Sequence, residues 1–269
     1  MNTENDELAG LLEPVAALAL KAGNEILAVY NSEEFSIQEK DDKSPLTAAD
    51  LASHHAIVDG LTALTADIPV LSEESASLPF SERSSWQRYW LVDPLDGTRE
   101  FIKRNGEFTV NIALIDAGVP VLSVVHVPVS GVSYLACKGQ GAFKQEPGSE
   151  RRAITVRKLG DGPVMVVGSR SHRGDSLISF LEKLGEHDMV GMGSSLKLCL
   201  VAEGAADLYP RLGPTSEWDT AAAQCVVEQA GGFVTGTDMK PLRYNTKDSL
   251  LNPFFLVFGD DSRDWSAYL

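Results

Sequence analysis

The sequence predicts a mixed α and β protein, α+β in its first half and α/β in its second. Two amphipathic helical patterns open the chain, a block of strands follows, and helices and strands alternate after about residue 150. Residues 1–150 therefore read as an N-terminal α+β domain and 151–269 as a C-terminal α/β domain. The length of 269 residues suffices for one large domain or two modest ones with a substantial core.

The first helix is marked by Leu8, Leu11, Val15, Leu18, Ala22, Ile26 and Val29 at three- and four-residue steps. Pro14 lies inside that run, a position where a kink or a later start is expected. The polar stretch 31–44 separates it from a second helix, opened by Pro45 and Thr47, with Leu51, Ile57, Leu61 and Leu64 on its apolar side. From Pro69 the period changes to that of strands: Val70-Leu71, Tyr89 to Val92, Phe108 to Ile115, Val119 to Val127 and Val132 to Ala136. The Gly-rich section 138–150 reads as punctuation near a domain boundary. Beyond it, strands at Val164 to Val167, Met189-Val190, Leu208-Tyr209 and Phe254 to Phe258 alternate with helices at Ser176 to Leu184, Ser195 to Val201 and Thr220 to Ala230. The last helix is closed by Gly231-Gly232.

Composition narrows the function classes. Lys and Arg number 23 against 38 Asp and Glu, a net charge of −15. Such a chain is poorly suited to a nucleic-acid polymer or an anionic membrane, which both require clustered cations. A small phosphorylated ligand is compatible, because bound divalent cations invert the local sign. Cys137, Cys199 and Cys225 are odd in number and widely spaced, which argues against a disulfide framework and for a reducing interior. The acidic N-terminal residues lack a signal-peptide pattern, and no run approaches the roughly 18 apolar residues of a membrane span. A cytoplasmic location is expected.

The densest chemical signal is Trp90-Leu91-Val92-Asp93-Pro94-Leu95-Asp96-Gly97-Thr98. A hydrophobic strand runs into a turn that carries two carboxylates three positions apart and then a hydroxyl. Short carboxylates and the Leu95 carbonyl are hard oxygen donors of the kind Mg²⁺ takes. The Gly97 and Thr98 amides suit a phosphate if a helix starts there. Asp-Pro and Asp-Gly are equally ordinary turn dipeptides. Val70-Leu71-Ser72-Glu73-Glu74 again runs a short strand into acids. Asp219 lies at a predicted helix start and Asp50 in a first helical turn, where capping and the helix dipole also favour acids.

Together, Ser44-Pro45 to Asp50, Ser72-Glu73-Glu74, Asp93 to Thr98 and Trp218 to Ala222 resemble, in order, the S-P-x-T-x-x-D, G/S-E-E, D-P-x-D-G-T and W-D-x-A-A segments of the inositol monophosphatase superfamily. Within it, Ser169-Arg170-Ser171-His172, Gly193 to Lys197, Tyr209 to Ala222 and Leu251-Asn252-Pro253-Phe254 are most similar to the bacterial 3′(2′),5′-bisphosphate nucleotidases. The resemblance implies a layered sandwich of alternating α and β layers. It also implies a Mg²⁺-dependent, lithium-sensitive phosphatase that holds two or three ions and converts adenosine 3′,5′-bisphosphate to AMP and phosphate, clearing a by-product of sulfate assimilation. Carried over to this sequence, Glu73, Asp93, Asp96 and Asp219, with the Leu95 carbonyl, are the metal ligands, so the N-terminal half holds most of them. Asp50 and Thr98 activate water, with Glu73 in the catalytic set. Gly97 and Thr98 hold the phosphate beside Glu73, Leu95, Asp96 and Asp219, and Ser169, His172, Ser195, Lys197 and Arg211 are candidate nucleotide contacts. Family analogy adds loose association with the inner membrane face.

Other chemistries match less well. An inositol monophosphatase or sugar bisphosphatase of the same superfamily is the nearest alternative. A dinucleotide-binding reductase is suggested by Gly191-Met192-Gly193-Ser194-Ser195-Leu196, whose third glycine position is Leu196. A Ca²⁺ loop from Asp93 lacks the twelfth-position Glu, where Arg104 stands. Zinc and serine hydrolase signatures are missing, and His54-His55 reads as a polar helix margin.

Overall fold

The computed structural model describes residues 3–32, 37–39, 45–169 and 174–269. The first helix, α1 (Thr3–Tyr30), is followed by a short antiparallel ribbon, β1 (Ile37–Glu39) and β2 (Pro45–Thr47), and then by α2 (Ala48–Leu64). Next come β3 (Val70–Ser72), a 3-10 turn (Glu73–Ser75), α3 (Phe80–Arg83), β4 (Arg88–Asp96) and α4 (Thr98–Ile102). Strands β5 (Thr109–Asp116), β6 (Val119–Val127), β7 (Val132–Cys137), β8 (Gly141–Gln145) and β9 (Arg152–Ile154) continue as a meander. The remainder is β10 (Val164–Ser169), α5 (Asp175–Leu184), β11 (His187–Met192), α6 (Leu196–Ala202), β12 (Leu208–Arg211), α7 (Ala221–Gln229), β13 (Phe233–Gly236) and β14 (Phe255–Phe258).

These elements stack as five layers, α-β-α-β-α, the layered sandwich the resemblance implied. A seven-stranded sheet runs in the order β3 to β9, with only β3 and β4 parallel among its pairs. A five-stranded sheet runs β11-β10-β12-β14-β13, parallel in its first half and antiparallel in its second. Three buried apolar clusters fill the space between layers. Side chains alternate across a strand, and β4 shows the result. Trp90 and Val92 face α1 and α2, whereas Tyr89 and Leu91 face the middle layer of α6 and α7. Likewise Phe255 and Val257 join the middle cluster, while Leu256 and Phe258 pack with Phe180 of α5 and Trp265. Strands covered on both faces read as continuous apolar runs, so Tyr89 to Val92 shows no alternation in sequence.

Several expectations are corrected. The helix α1 passes through Pro14 unbroken, with Leu8, Leu12 and Val15 buried on either side of it. In α2 the buried stripe is Ala49, Ser53, Ile57 and Leu61, at steps of four. Leu51 lies off that stripe and is 40% exposed. The segment 138–150 holds β8, and β9 beyond residue 150 joins the same sheet. The polar stretch 31–44 contains β1, and β13 comes directly after the Gly231-Gly232 stop. All three cysteines are buried and free. Among the described residues no helix is long and apolar enough to cross a membrane.

The interface of α1 with the large sheet is close. A Cβ added at Gly23 would lie 2.6 Å from Cδ2 of buried His126 on β6, whose Nδ1 bonds Ser133 Oγ at 2.9 Å. Gly23→Ala is therefore expected to destabilise by about 1–3 kcal/mol through overpacking, read as a lower urea midpoint at unchanged m-value. Burial lowers the His126 pKa from 6.5 to about 4. Between those values the unfolded chain binds the extra proton, so this residue's contribution is present above pH 6.5 and is lost as pH falls towards 4. His126→Leu is expected to flatten that part of the stability profile relative to the parent, whatever its constant offset.

Candidate metal centre and active site

The site is assembled where the last residues of β4 meet the middle layer. The ladder between β4 and β5 shifts register between Asp93 and Asp96, a bulge that re-aims side chains at the strand end. Asp93 Oδ1 accepts the Leu95 amide at 3.0 Å, closing the turn on itself. Gly97 then adopts φ +93°, a left-handed conformation that suits glycine, and α4 begins at Thr98. The tight backbone swings Asp96 towards the second half of the chain.

Asp219 reaches the same place from the other side. It ends the 3-10 turn Glu217–Asp219 immediately before α7, and its Oδ2 accepts the Ser216 amide at 2.9 Å. One oxygen each of Asp93, Asp96 and Asp219 all lie within 4.8 Å of one another. Glu73, in the turn after β3, lies near enough to Asp93 to raise its pKa. Nearby, His54 Nδ1 bonds Ser72 Oγ at 2.8 Å and ties α2 to that strand.

Crowding and burial act together on these acids. Burial, reinforced by Glu73, Asp96 and Asp219, holds the Asp93 carboxyl well above the usual range. Asp219 is pushed up to about 8 by burial and by Asp96. Asp96 rises only to about 6, because Lys197, the Ser195 amide and Asn111 favour its charged form against burial. Ser195 N donates to Asp96 Oδ2 at 2.5 Å, and Asn111 Nδ2 donates to the same oxygen at 3.4 Å. Lys197 is itself lowered to about 8 by burial. The set is one of hard oxygen donors that ionise together only beside a compensating cation, which fits Mg²⁺.

Asp50 and Thr98 form the second part of the site. Thr47 caps α2 and holds Asp50 Oδ2 from both its amide (2.7 Å) and its hydroxyl (2.6 Å). The other Asp50 oxygen accepts Thr98 Oγ1 at 3.3 Å, and Thr98 Oγ1 also lies 3.4 Å from the Leu95 carbonyl. Ser53 Oγ donates to the Pro94 carbonyl at 2.7 Å, which binds α2 to the turn.

Beside the acids lies an open cleft lined by Asp96, Gly97, Ser169, Ser195, Lys197, Tyr209, Arg211, Thr215 and Asp219 among others. Thus Ser169, Lys197 and Arg211 face the same space as the acids. Lys197 Nζ donates to the Ser194 carbonyl at 2.5 Å and lies 5.6 Å from the Tyr209 ring centroid. Ser195 is engaged within the protein: its Oγ donates to Asn111 Oδ1 at 2.8 Å and lies 2.9 Å from Thr109 Oγ1. His172 and Ser44 lie outside the described residues. Sequence reasoning missed Asn111, whose signal was a polar residue inside the apolar run Phe108 to Ile115. The Gly191 to Leu196 loop turns its Gly193 amide to Glu107 Oε2 (2.8 Å) and its Ser195 amide to Asp96. Amides already facing carboxylates make a poor pyrophosphate cradle, against the reductase reading.

Comparison with known proteins places this architecture. The chain is 54% identical over 248 residues to the 3′(2′),5′-bisphosphate nucleotidase CysQ of Escherichia coli K12, covering 92% of this chain and 99% of that protein. It is 38% identical to the Haemophilus influenzae CysQ over 258 residues, 96% of each. The crystal structure of CysQ from Bacteroides thetaiotaomicron superposes with a TM-score of 0.83 at 42% identity, covering 93% of this chain and 97% of that one. Residues 7–257 match the inositol monophosphatase family. With that match spanning both sheets and every acid of the site, the chain belongs to the inositol monophosphatase family.

Proposed function

We propose that this protein is a Mg²⁺-dependent phosphoric monoester hydrolase, a 3′(2′),5′-bisphosphate nucleotidase that converts adenosine 3′,5′-bisphosphate to AMP and phosphate. The observation that carries the reading is the convergence of Asp93, Asp96 and Asp219 oxygens within 4.8 Å, drawn from both halves of the chain. The name borne by relatives at 38% to 54% identity supports this substrate over an inositol phosphate or a sugar bisphosphate.

In this reading Asp93, Asp96 and Asp219, with Glu73 and the Leu95 carbonyl, hold the metal. Bound there, Mg²⁺ supplies positive charge against the phosphate dianion and acidifies water. The protein's own groups do the rest. Thr47 fixes one Asp50 oxygen, leaving the other to accept a proton through the Thr98 hydroxyl from an attacking water, a general-base relay. The Gly97 and Thr98 amides, at the start of α4, hold the phosphate. Lys197 and Arg211 supply cationic groups in the cleft for the nucleotide, and Ser169 lines the same cleft. An acidic chain thus keeps local positive charge where an anionic substrate binds.

Two measurements test the reading. Asp93→Asn is expected to fold, judged by circular dichroism, and to lose more turnover than the roughly 100-fold that loss of an outer-shell partner costs; near-parental phosphate release would count against the ligand set. Phosphate release from adenosine 3′,5′-bisphosphate, inositol 1-phosphate and fructose 1,6-bisphosphate, compared in Mg²⁺ and after chelation, is expected to show the highest kcat/KM for the nucleotide and none after chelation. Preference for either competitor would reassign the substrate.

A further inference from the structure

The segment 245–252 packs along the turn that carries Asp219, and Asn252 has no role in the chemistry above. Its amide donates to the Thr215 carbonyl at 2.8 Å. Its side-chain nitrogen donates to the Ser216 carbonyl at 2.7 Å and to Thr220 Oγ1 at 3.0 Å, with Thr215 Oγ1 at 3.3 Å. One carboxamide therefore touches the turn both before and after Asp219. A bridge between Ser216 and Leu251 and a bond from the Glu217 amide to the Leu250 carbonyl (2.8 Å) run alongside.

The other end of the segment is anchored in the first half of the chain. Buried Glu217 accepts the Asn245 amide at 2.9 Å. Asn245 Oδ1 accepts fully buried Arg83 Nη1 at 2.5 Å, and its Nδ2 returns a bond to the Arg83 carbonyl at 2.6 Å. Arg83 Nη2 also donates to the Asp248 carbonyl. A helix of the first half thus grips a strap of the second, and the strap grips the turn that completes a site built from both.

We infer that the strap 245–252 is a positioning device for Asp219, with Asn252 as its principal residue and Arg83 and Asn245 as its anchor. The inference rests on the reading of Asp219 as a metal ligand. Outer-shell partners hold a ligand at the geometry an ion requires, so loosening the strap weakens metal binding while the chemistry survives when metal saturates.

The test is Mn²⁺ binding to the metal-free protein by EPR titration, with Mg²⁺ activation of phosphate release measured alongside. Asn252→Ala is expected to weaken Mn²⁺ binding roughly tenfold or more. It should raise the Mg²⁺ concentration for half-activation by a similar factor and leave kcat at saturating Mg²⁺ near the parental value. Added to Asp219→Asn it should produce no further weakening, because both act on one ligand. Asn245→Gly keeps the left-handed backbone (φ 55°) and the amide that meets Glu217 but removes the side chain Arg83 holds, and should weaken Mn²⁺ in the same direction. Parental affinity in Asn252→Ala alongside a weakened Asp219→Asn would overturn the strap; if Asn252→Ala does not fold, parental affinity in Asn245→Gly would do so. Parental affinity in Asp219→Asn would instead overturn the ligand reading beneath it.

Discussion

Mutual repulsion among closely packed carboxylates, one buried and two half-buried, is the constraint around which this protein is organised. Asp93, Asp96 and Asp219 present oxygens within 4.8 Å of one another where burial already disfavours their charge. Left alone, such a group protonates or spreads. Here each acid is held by different means: Asp93 by its own turn, Asp96 by the Ser195 amide and Asn111, Asp219 by the Ser216 amide. The protein keeps the acids together through backbone amides and the Asn111 carboxamide.

The layered architecture makes that arrangement stable. The large sheet is covered by α1 and α2 on one face and by α6 and α7 on the other, so β4 is anchored on both sides up to the bulge where its acids emerge. The helix α7 packs on β5, β6 and β7 of the large sheet and on β13 of the small one, while its preceding turn carries Asp219. The same middle layer brings Lys197, at the start of α6, beside Asp96. A chain of net charge −15 thus sets Lys197 and Arg211 among the acids that line its cleft.

The limits of sequence reading have identifiable physical causes. Leu51 looked like a core residue because it is apolar, but the stripe of α2 is set by steps of four through Ala49 and Ser53, small residues that carry little pattern signal. The strand β13 was hidden because Gly231-Gly232 marks a helix end but carries no signal for the element beyond it. Ser195 lines the cleft, and its amide and hydroxyl also bond Asp96 and Asn111, residues 99 and 84 positions away, a link no local pattern could show.

Sequence by itself determined the local features: the apolar runs that become strands, the Thr47 cap of α2, and the turn Asp93 to Thr98, whose Pro and Gly set backbone angles within a few residues. These depend on steric preference and short-range hydrogen bonds, which a short stretch of chain contains. The distance from Asp219 to Asp93 and Asp96, the engagement of Ser195, and the grip of Arg83 on the 245–252 strap were decided only by the tertiary structure. Each depends on how two sheets pack about a shared layer of helices, and that packing belongs to no single segment of the chain.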